Sequence, residues 1–555
     1  MNTSQPIGEL PAPPSARSRF ATRNCVAGIV VITLLVFGRL LGAEFSWWDD
    51  PHTVHHNPLL NPAKADTFAH YWQKQAANIY IPLTYTVWAL LSYVARVSPG
   101  EFGISLNPWV YHAANVVTHV GGSVAAFLLF QLLIRDNRAA LIGALFYAVH
   151  PVQVESVAWV SGLKDVLAGA LTVAVLWQYA AYRTTGRRLN YVLAIFLYVL
   201  ALLSKPSAIT TPLLMGVIEL LFRYRDLVTI SQPWRRVFAR LLPFIILAIP
   251  IAVIARSIQK GFVTISPPWA RPLVMLDSIA FYLGKLVAPL GLCPDYGRNP
   301  QYIISTGQIW YTWIASAAVL IACVLLAKRK LTWPLAGLAI FIFAPLHVLG
   351  LTTFDFQSFS TTADHYLYVA LLGPALVLAW LIAKWPSRLL VWAAVVLVAL
   401  SAKTVVQTGK WQNELTLMHH TLEVNPTSVL GLSDLTAYYA RINQLDLAKE
   451  YADRAKAREP ANPLVVYNSA VTNLARRDFD SAADDFDEFI RLYDGHYGAA
   501  TIDTITAYME AADAYLSAGR IIEADKMVER ARVIAPDHAT IRDFDARLRT
   551  ARQRQ

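Results

Sequence analysis

The sequence predicts an all-α protein: a polytopic membrane bundle of about eleven spans plus juxtamembrane helices, then a water-soluble array of paired helices. Three observations carry this expectation. Of 555 residues, 55% are hydrophobic and only 15% charged. Many apolar stretches reach the roughly 17–20 residues that cross a bilayer. From Trp411 onward the composition changes, with 17 Lys/Arg against 23 Asp/Glu, a net −6 in a chain whose total is +10. The remaining +16 falls on the membrane part. That basic region suits anionic lipid head groups and cytoplasmic loops, so nucleic acid is not needed to explain the charge.

Residues 1–23 form a tail whose Arg17, Arg19 and Arg23 keep it cytoplasmic. The apolar run 24–45 lacks a small-residue cleavage site behind it and reads as a retained anchor. Trp47-Trp48-Asp49-Asp50 follow, where the helix leaves the bilayer. Carboxylates there lose solvation and are usually kept for ion binding, proton transfer or substrate contact. The alternative is a plain helix-end pair flanked by interfacial tryptophans. A first external loop, 46–110, comes next.

Further crossings are expected near 111–134, 139–154, 164–182, 189–204, 207–223, 238–256, 309–327, 332–350, 365–384 and 387–405. Eleven crossings that start inside put every basic cluster on the cytoplasmic side: Arg135/Arg138, Arg183/Arg187/Arg188, Arg223/Arg225/Arg235/Arg236, Lys328/Arg329/Lys330 and Lys384/Arg388. The apolar stretches 82–95 and 272–292 would spoil that pattern if they crossed. Both read as juxtamembrane or re-entrant helices on the external face, which need protein cover or a water-lined cavity. Cys25, Cys293 and Cys323 are scattered without ligand spacing or an indicated pairing.

Residues 24–410 thus form the membrane domain and 411–555 an extracytoplasmic helical domain. Three 34-residue frames fit the tail, starting at about 429, 463 and 505. Tyr439, Ala448, Ala455 and Pro460, then Ala482 and Phe486, then Ala512, Tyr515, Gly519, Ala524, Ala531 and Pro536 occupy the small, aromatic, turning and helix-ending positions of a tetratricopeptide repeat (TPR). The segment from Trp411 packs as a half-repeat, and 497–504 is an insertion. Such an α-solenoid holds a protein or peptide partner or docks on the membrane domain.

Polar residues gather at the external ends of spans. Asp49 and Asp50 are followed by His52, His55 and His56; His150-Pro151 leads to Glu155; Lys164-Asp165 opens the fourth span; Lys205-Pro206 ends the fifth; Asp364-His365-Tyr366 opens the tenth. A carboxylate can act as general base towards a hydroxyl, and lysines can neutralise a phosphate leaving group. One interfacial lysine often only snorkels, but placements in four separate external loops, all on one face, point to a site. The histidines beside the acid pair are weak metal candidates, because D-D-x-H-x-x-H-H matches no standard ligand spacing. The sequence by itself requires no cofactor, and it leaves a divalent metal open. His112, Asn115 and His119 share one helical face, where core hydrogen bonding competes with a donor-lipid contact.

Several motifs occur in order: Trp48-Asp49-Asp50 with Asn57-Pro58; Tyr80-Ile81-Pro82-Leu83; His112-x-x-Asn115-x-x-x-His119; His150-Pro151-Val152-Gln153-Val154-Glu155-Ser156-Val157-Ala158-Trp159 with Lys164-Asp165; Leu203-Ser204-Lys205-Pro206; and Phe281-Tyr282-Leu283-Gly284-Lys285-Leu286 with Pro294-Asp295-Tyr296. As a set they make the chain resemble the transmembrane-and-TPR O-mannosyltransferases, and more distantly the protein O-mannosyltransferases, both of the GT-C fold. The resemblance covers about 20–550. It implies a membrane glycosyltransferase that takes a sugar, such as mannose, from a polyprenyl-phosphate donor to a Ser/Thr or other hydroxyl outside the cytoplasm. In a bacterial cell this is the plasma membrane.

The resemblance makes Asp49 the base and Asp50 its orienting partner, with Lys164, Lys205 and His365 at the donor phosphate. Tyr80, His112, His150, Glu155, Asp165 and Tyr366 become substrate-site candidates. Two departures remove a permanent charge: Ile81 and His365 stand where the family usually has Arg. A ligase or polymerase of lipid-linked glycans, and a non-catalytic membrane scaffold presenting the repeats, are the competing readings. A transporter would want charge at mid-bilayer, whereas here it sits at span ends.

Overall fold

A computed structural model describes residues 16–76, 78–100, 102–224, 233–258, 266–496, 504–536 and 539–554. The tail before residue 16, Arg225 and most of the insertion 497–504 lie outside the described residues, as do the side chains of Arg17 and Arg19. The regular structure of the described residues is helical, with three isolated β-bridges in the first loop and no strand.

The membrane part runs through α1 (Ala16–Phe37), α2 (Thr67–Gln73), α3 (Pro82–Val94), α4 (Pro108–Ile134), α5 (Asn137–Val149), α6 (Val154–Ala158), α7 (Leu163–Thr185), α8 (Arg188–Ser204), α9 (Thr211–Tyr224), α10 (Trp234–Ile258), α11 (Arg271–Val287), α12 (Pro300–Ser305), α13 (Trp313–Lys328), α14 (Trp333–Phe343), α15 (Leu372–Lys384) and α16 (Pro386–Thr408). Each of the eleven expected crossings coincides with a helix. By length and apolarity six helical stretches can cross alone, and a seventh forms if α5 and the bent segment Pro151–Ala158 count as one span. Two of the others are broken for an identifiable reason: Pro151 and Pro345 stop the helical ladder by removing an N–H donor, so 139–154 and 332–350 do not hold continuous helices.

Close packing between these helices rests on small residues. A Cβ on Gly373 would lie 2.1 Å from the carbonyl oxygen of Gly337, so α14 and α15 meet backbone to backbone. A Cβ on Gly169 would enter the Tyr368 ring, which fixes α7 against the chain entering α15. The first external loop has its own core, in which Tyr71 stacks on Tyr85 at 3.9 Å and Ile81 is buried. Asn57 holds that loop: its Nδ2 donates to His52 O (3.1 Å) and its Oδ1 accepts from Tyr71 OH (2.9 Å).

The C-terminal part begins with α17 (Glu414–Val424). Three helical hairpins follow: α18 (Val429–Arg441) with α19 (Leu445–Arg458), α20 (Pro463–Ala475) with α21 (Phe479–His496), and α22 (Thr504–Ser517) with α23 (Ile521–Ile534). Ala448, Ala455, Ala482, Phe486, Ala512, Tyr515, Ala524 and Ala531 are buried where paired helices approach. A closing helix, α24 (Ala539–Arg554), covers the last pair with Ile541, Phe544 and Leu548. The core does not stop at residue 410. Trp411, Leu417, Met418, Leu435, Tyr439 and Ala448 join the membrane part's cluster, while a separate core begins at Val466.

Candidate active site

The break between α5 and α7 builds the site. After His150-Pro151 the chain makes three short helical turns, Pro151–Gln153, α6 and Val160–Gly162. A Cβ on Gly162 would sit 2.3 Å from Ser156 O, so only glycine permits the last turn. This re-entry brings Trp159 and Ser161 to the acid loop and carries Glu155 to the Asp364-His365 segment.

Asp50 opens the turn Pro51–His55 and is fully buried. Its Oδ1 accepts from Ser161 N (2.9 Å) and Ser161 Oγ (2.5 Å), and its Oδ2 from Ser46 N (3.0 Å). Burial outweighs these hydrogen bonds and pushes its pKa up to about 7. Asp49 differs in every respect. Its side chain is 42% exposed, and its Oδ2 lies 3.3 Å from Lys164 Nζ. Lys164 also sits 4.2 Å over the Trp159 ring, which stacks on Trp48 at 4.5 Å. The loop therefore presents one open carboxylate and locks the other away.

One residue further along α7, Asp165 forms an ion pair with Lys205 at the end of α8. Asp165, Lys205, His347, His365 and Tyr366 line one cavity with Thr172 and Thr210. Asp165 Oδ2 and His347 Nδ1 are buried there without a protein partner. Glu155 closes the arrangement: its Oε1 lies 2.5 Å from His365 Nδ1, and its Oε2 accepts from Asp364 N (2.9 Å). Burial and the nearby Glu155 carboxylate push Asp364 well above the usual carboxylate range, and Tyr296 OH donates to its Oδ1 (2.8 Å).

Three further sequence candidates each meet a backbone carbonyl. Tyr80 OH donates to Trp72 O (3.0 Å), His112 Nε2 meets Glu44 O (3.2 Å), and His150 Nε2 meets Leu286 O (3.1 Å). None of the three lines the Lys205 cavity. Ile81 is packed in the loop core, so its position brings no cation near a phosphate. His55 and His56 bring their Nδ1 atoms within 2.7 Å of each other against the Trp47 ring. Burial pushes His55 down to about 3, so its ring is neutral. No set of three His, Cys, Asp or Glu among the described residues is arranged around a metal position, His52, His55 and His56 included.

No protein family model matches the sequence. Curated relatives do. Protein O-mannosyl-transferase TMTC1 of Mus musculus is 28% identical over 214 residues, 36% of this chain and 22% of that protein. Tmtc1 of Drosophila melanogaster is 33% identical over 206 residues, 35% of this chain and 23% of its own length. The O-mannosyl-transferase F38B6.6 of Caenorhabditis elegans is 21% identical over 423 residues, 72% and 58% of the two chains. The chain is similar to protein O-mannosyl-transferases. It spans only about a quarter of the length of the TMTC1 relatives it matches. Among solved structures, yeast Tom70 matches at 14% identity with a TM-score of 0.22, over 78% of this chain and 88% of that one, too low a score to establish a shared fold.

Residues that motif reading passed over complete the site. Ser161 carries two of the hydrogen bonds to Asp50. His347 lines the cavity from the segment after α14. Glu414 and Arg441 reach the acid loop from the C-terminal part: Glu414 Oε2 accepts from Ser46 Oγ (3.1 Å), and the Arg441 guanidinium lies 3.4 Å from the Trp47 ring centroid. Neither has a local sequence signal, because both contacts span more than 360 residues of chain.

Proposed function

We propose that this chain is an integral-membrane GT-C glycosyltransferase that moves a sugar, mannose by its relatives' names, from a polyprenyl-phosphate donor to a protein Ser/Thr hydroxyl outside the cytoplasm. The observation that carries the reading is the open Asp49 carboxylate beside Lys164, one residue along α7 from the Asp165–Lys205 cavity. Asp49 Oδ takes the proton from the acceptor hydroxyl. The hydroxyl oxygen attacks the sugar's anomeric carbon, and the bond from that carbon to the phosphate oxygen breaks. The lipid phosphate leaves with the electron pair, and its charge is met by Lys164 and Lys205. Asp50 holds the loop rather than acting as the base, because it is fully buried and both its oxygens already accept hydrogen bonds from Ser46 and Ser161.

His365 pairs with Glu155 and so positions the Asp364 segment against the cavity. With Ile81 in the loop core, the lysines supply the charge that an arginine would have given. The basic clusters at alternate loops support the external placement of Asp49. The test is transfer by the full chain in lipid nanodiscs, with polyprenyl-phosphate mannose and Ser/Thr-rich peptides, read as a hexose mass shift. Wild type should transfer and Asp49→Asn should not. Equal yields from the two proteins would sink the assignment.

A further inference from the structure

A cleft of about 560 Å³ opens where the loop after α11 meets the first helices of the C-terminal part. Its walls come from both parts: Asp295, Gln301 and Phe359 on one side, Thr427, Arg458 and Glu459 on the other. The seam is built closely. Asn425 Nδ2 donates to Asp295 O (3.3 Å), Ser428 Oγ donates to Asp295 Oδ2 (2.6 Å), and a Cβ on Gly297 would sit 2.8 Å from Asn425 Nδ2.

We propose that this cleft holds the acceptor as an extended polypeptide segment and delivers its Ser/Thr hydroxyl towards Asp49. The inference rests on the transferase reading above. Four features fit a peptide. The volume lies within the roughly 300–1,000 Å³ of ligand sites. The single Arg458 guanidinium in the lining is matched by the neighbouring Glu459 carboxyl, and Asp295 is turned to Ser428 and Gly297, so the cleft offers no net positive charge to a phosphate head group and so to the donor. The exposed Gln301 amide and Thr427 at the mouth can bond a peptide backbone, which must satisfy its N–H and C=O groups wherever it is buried. Finally, aromatic rings connect cleft and acid pair: Phe359 lies 5.9 Å from Phe356, and Phe356 lies 6.0 Å from Trp48, the neighbour of Asp49.

The test uses the full chain carrying Asp49→Asn, so that binding is read without turnover. A fluorescein-labelled Ser/Thr-rich peptide is the probe, with a photo-crosslinking residue at Gln301 and, as control, at the exposed Val533. Crosslinking at 301 and not at 533 is expected. Filling the cleft with Thr427→Trp or Gln301→Trp should weaken peptide binding about tenfold or more, the weight of one or two lost contacts. In the otherwise wild-type chain the same changes should raise the acceptor KM and leave the donor KM unchanged. Peptide that binds both filled variants as tightly as the parent overturns the inference, and so does a parent that binds no peptide. A wild-type chain that glycosylates the peptide without crosslinking at 301 sinks the cleft alone. Crosslinking there without any transfer sinks the transferase reading, and with it the acceptor role of a cleft that still binds peptide.

Discussion

The Glu414 carboxylate accepts a 2.7 Å hydrogen bond from the backbone N–H of Trp47, two residues before Asp49. The first helix after the membrane part therefore holds the acid loop from above. Ser46 extends the link, since its hydroxyl donates to Glu414 while its N–H donates to Asp50. Arg441, at the end of the next helix, covers the Trp47 ring. The C-terminal domain thus shapes the loop that bears Asp49.

Glu414→Ala should destabilise the loop, because the N–H of Trp47 and the Ser46 hydroxyl lose their acceptor at an interface closed to water. A buried donor left unpaired costs about 1–3 kcal/mol. Thermal unfolding of the purified chain should fall and transfer should drop, with Glu414→Gln keeping an acceptor oxygen and recovering part of both. If Glu414→Ala unfolds and transfers like wild type, the loop is held by other contacts.

Asp49→Asn and Asp50→Asn should fail in different ways. Asp49 is exposed and singly paired, so its amide should insert and fold normally while transfer falls about 10²–10⁴-fold, the usual weight of a general base. Asn at position 50 places an N–H₂ among the donors of Ser46 and Ser161, so this variant should lose stability along with activity. Normal stability with full activity in Asp50→Asn would remove its positioning role.

The contrast between these two neighbours marks where sequence reading ran out. The pair Asp49-Asp50, the lysines 164 and 205 and the helical frames starting at 429 and 463 were legible because hydropathy, charge and repeat spacing are local signals. Which aspartate is open was not, since that depends on Ser161, more than a hundred residues away, folding back through a glycine-dependent turn. His112 and His150 entered through the motifs that carry the resemblance, and the backbone carbonyls their Nε2 atoms meet are contacts that no side-chain pattern reveals. The helix breaks at Pro151 and Pro345 were hidden inside continuous apolar runs.

Two groups in the acid loop should give opposite pH trends. The folded pKa of Asp50 is raised to about 7 from 3.8, so its contribution to stability is full below about 4 and is lost as pH rises through 7. His55 is lowered to about 3 from 6.5, so its contribution is present above 6.5 and is lost as pH falls towards 3. Between about pH 4 and 6.5 the two oppose each other. Asp50→Asn should therefore leave His55 unopposed and make thermal stability fall more steeply on acidification than in wild type. Parallel stability–pH curves for the two proteins would show that Asp50 does not titrate in this window.

Lys205 offers a way to separate folding from donor binding. Its partner Asp165 is buried, and Asp165 Oδ2 already lacks a protein partner, so Lys205→Met strands a carboxylate inside the bundle. Removing one member of such a pair costs about 3–5 kcal/mol, whereas replacing both by apolar groups is often neutral. The single variant should express poorly, and Lys205→Met with Asp165→Leu should regain expression and thermal stability. If Lys205 meets the donor phosphate, the double variant should still bind donor at least about tenfold more weakly, the loss expected for one charge-assisted contact. Lys164→Gln serves as comparison, because Asp49 remains half exposed to water and needs no partner to stay folded. A double variant that is stable and binds donor like wild type would confine Lys205 to a structural role and leave Lys164 as the phosphate's contact.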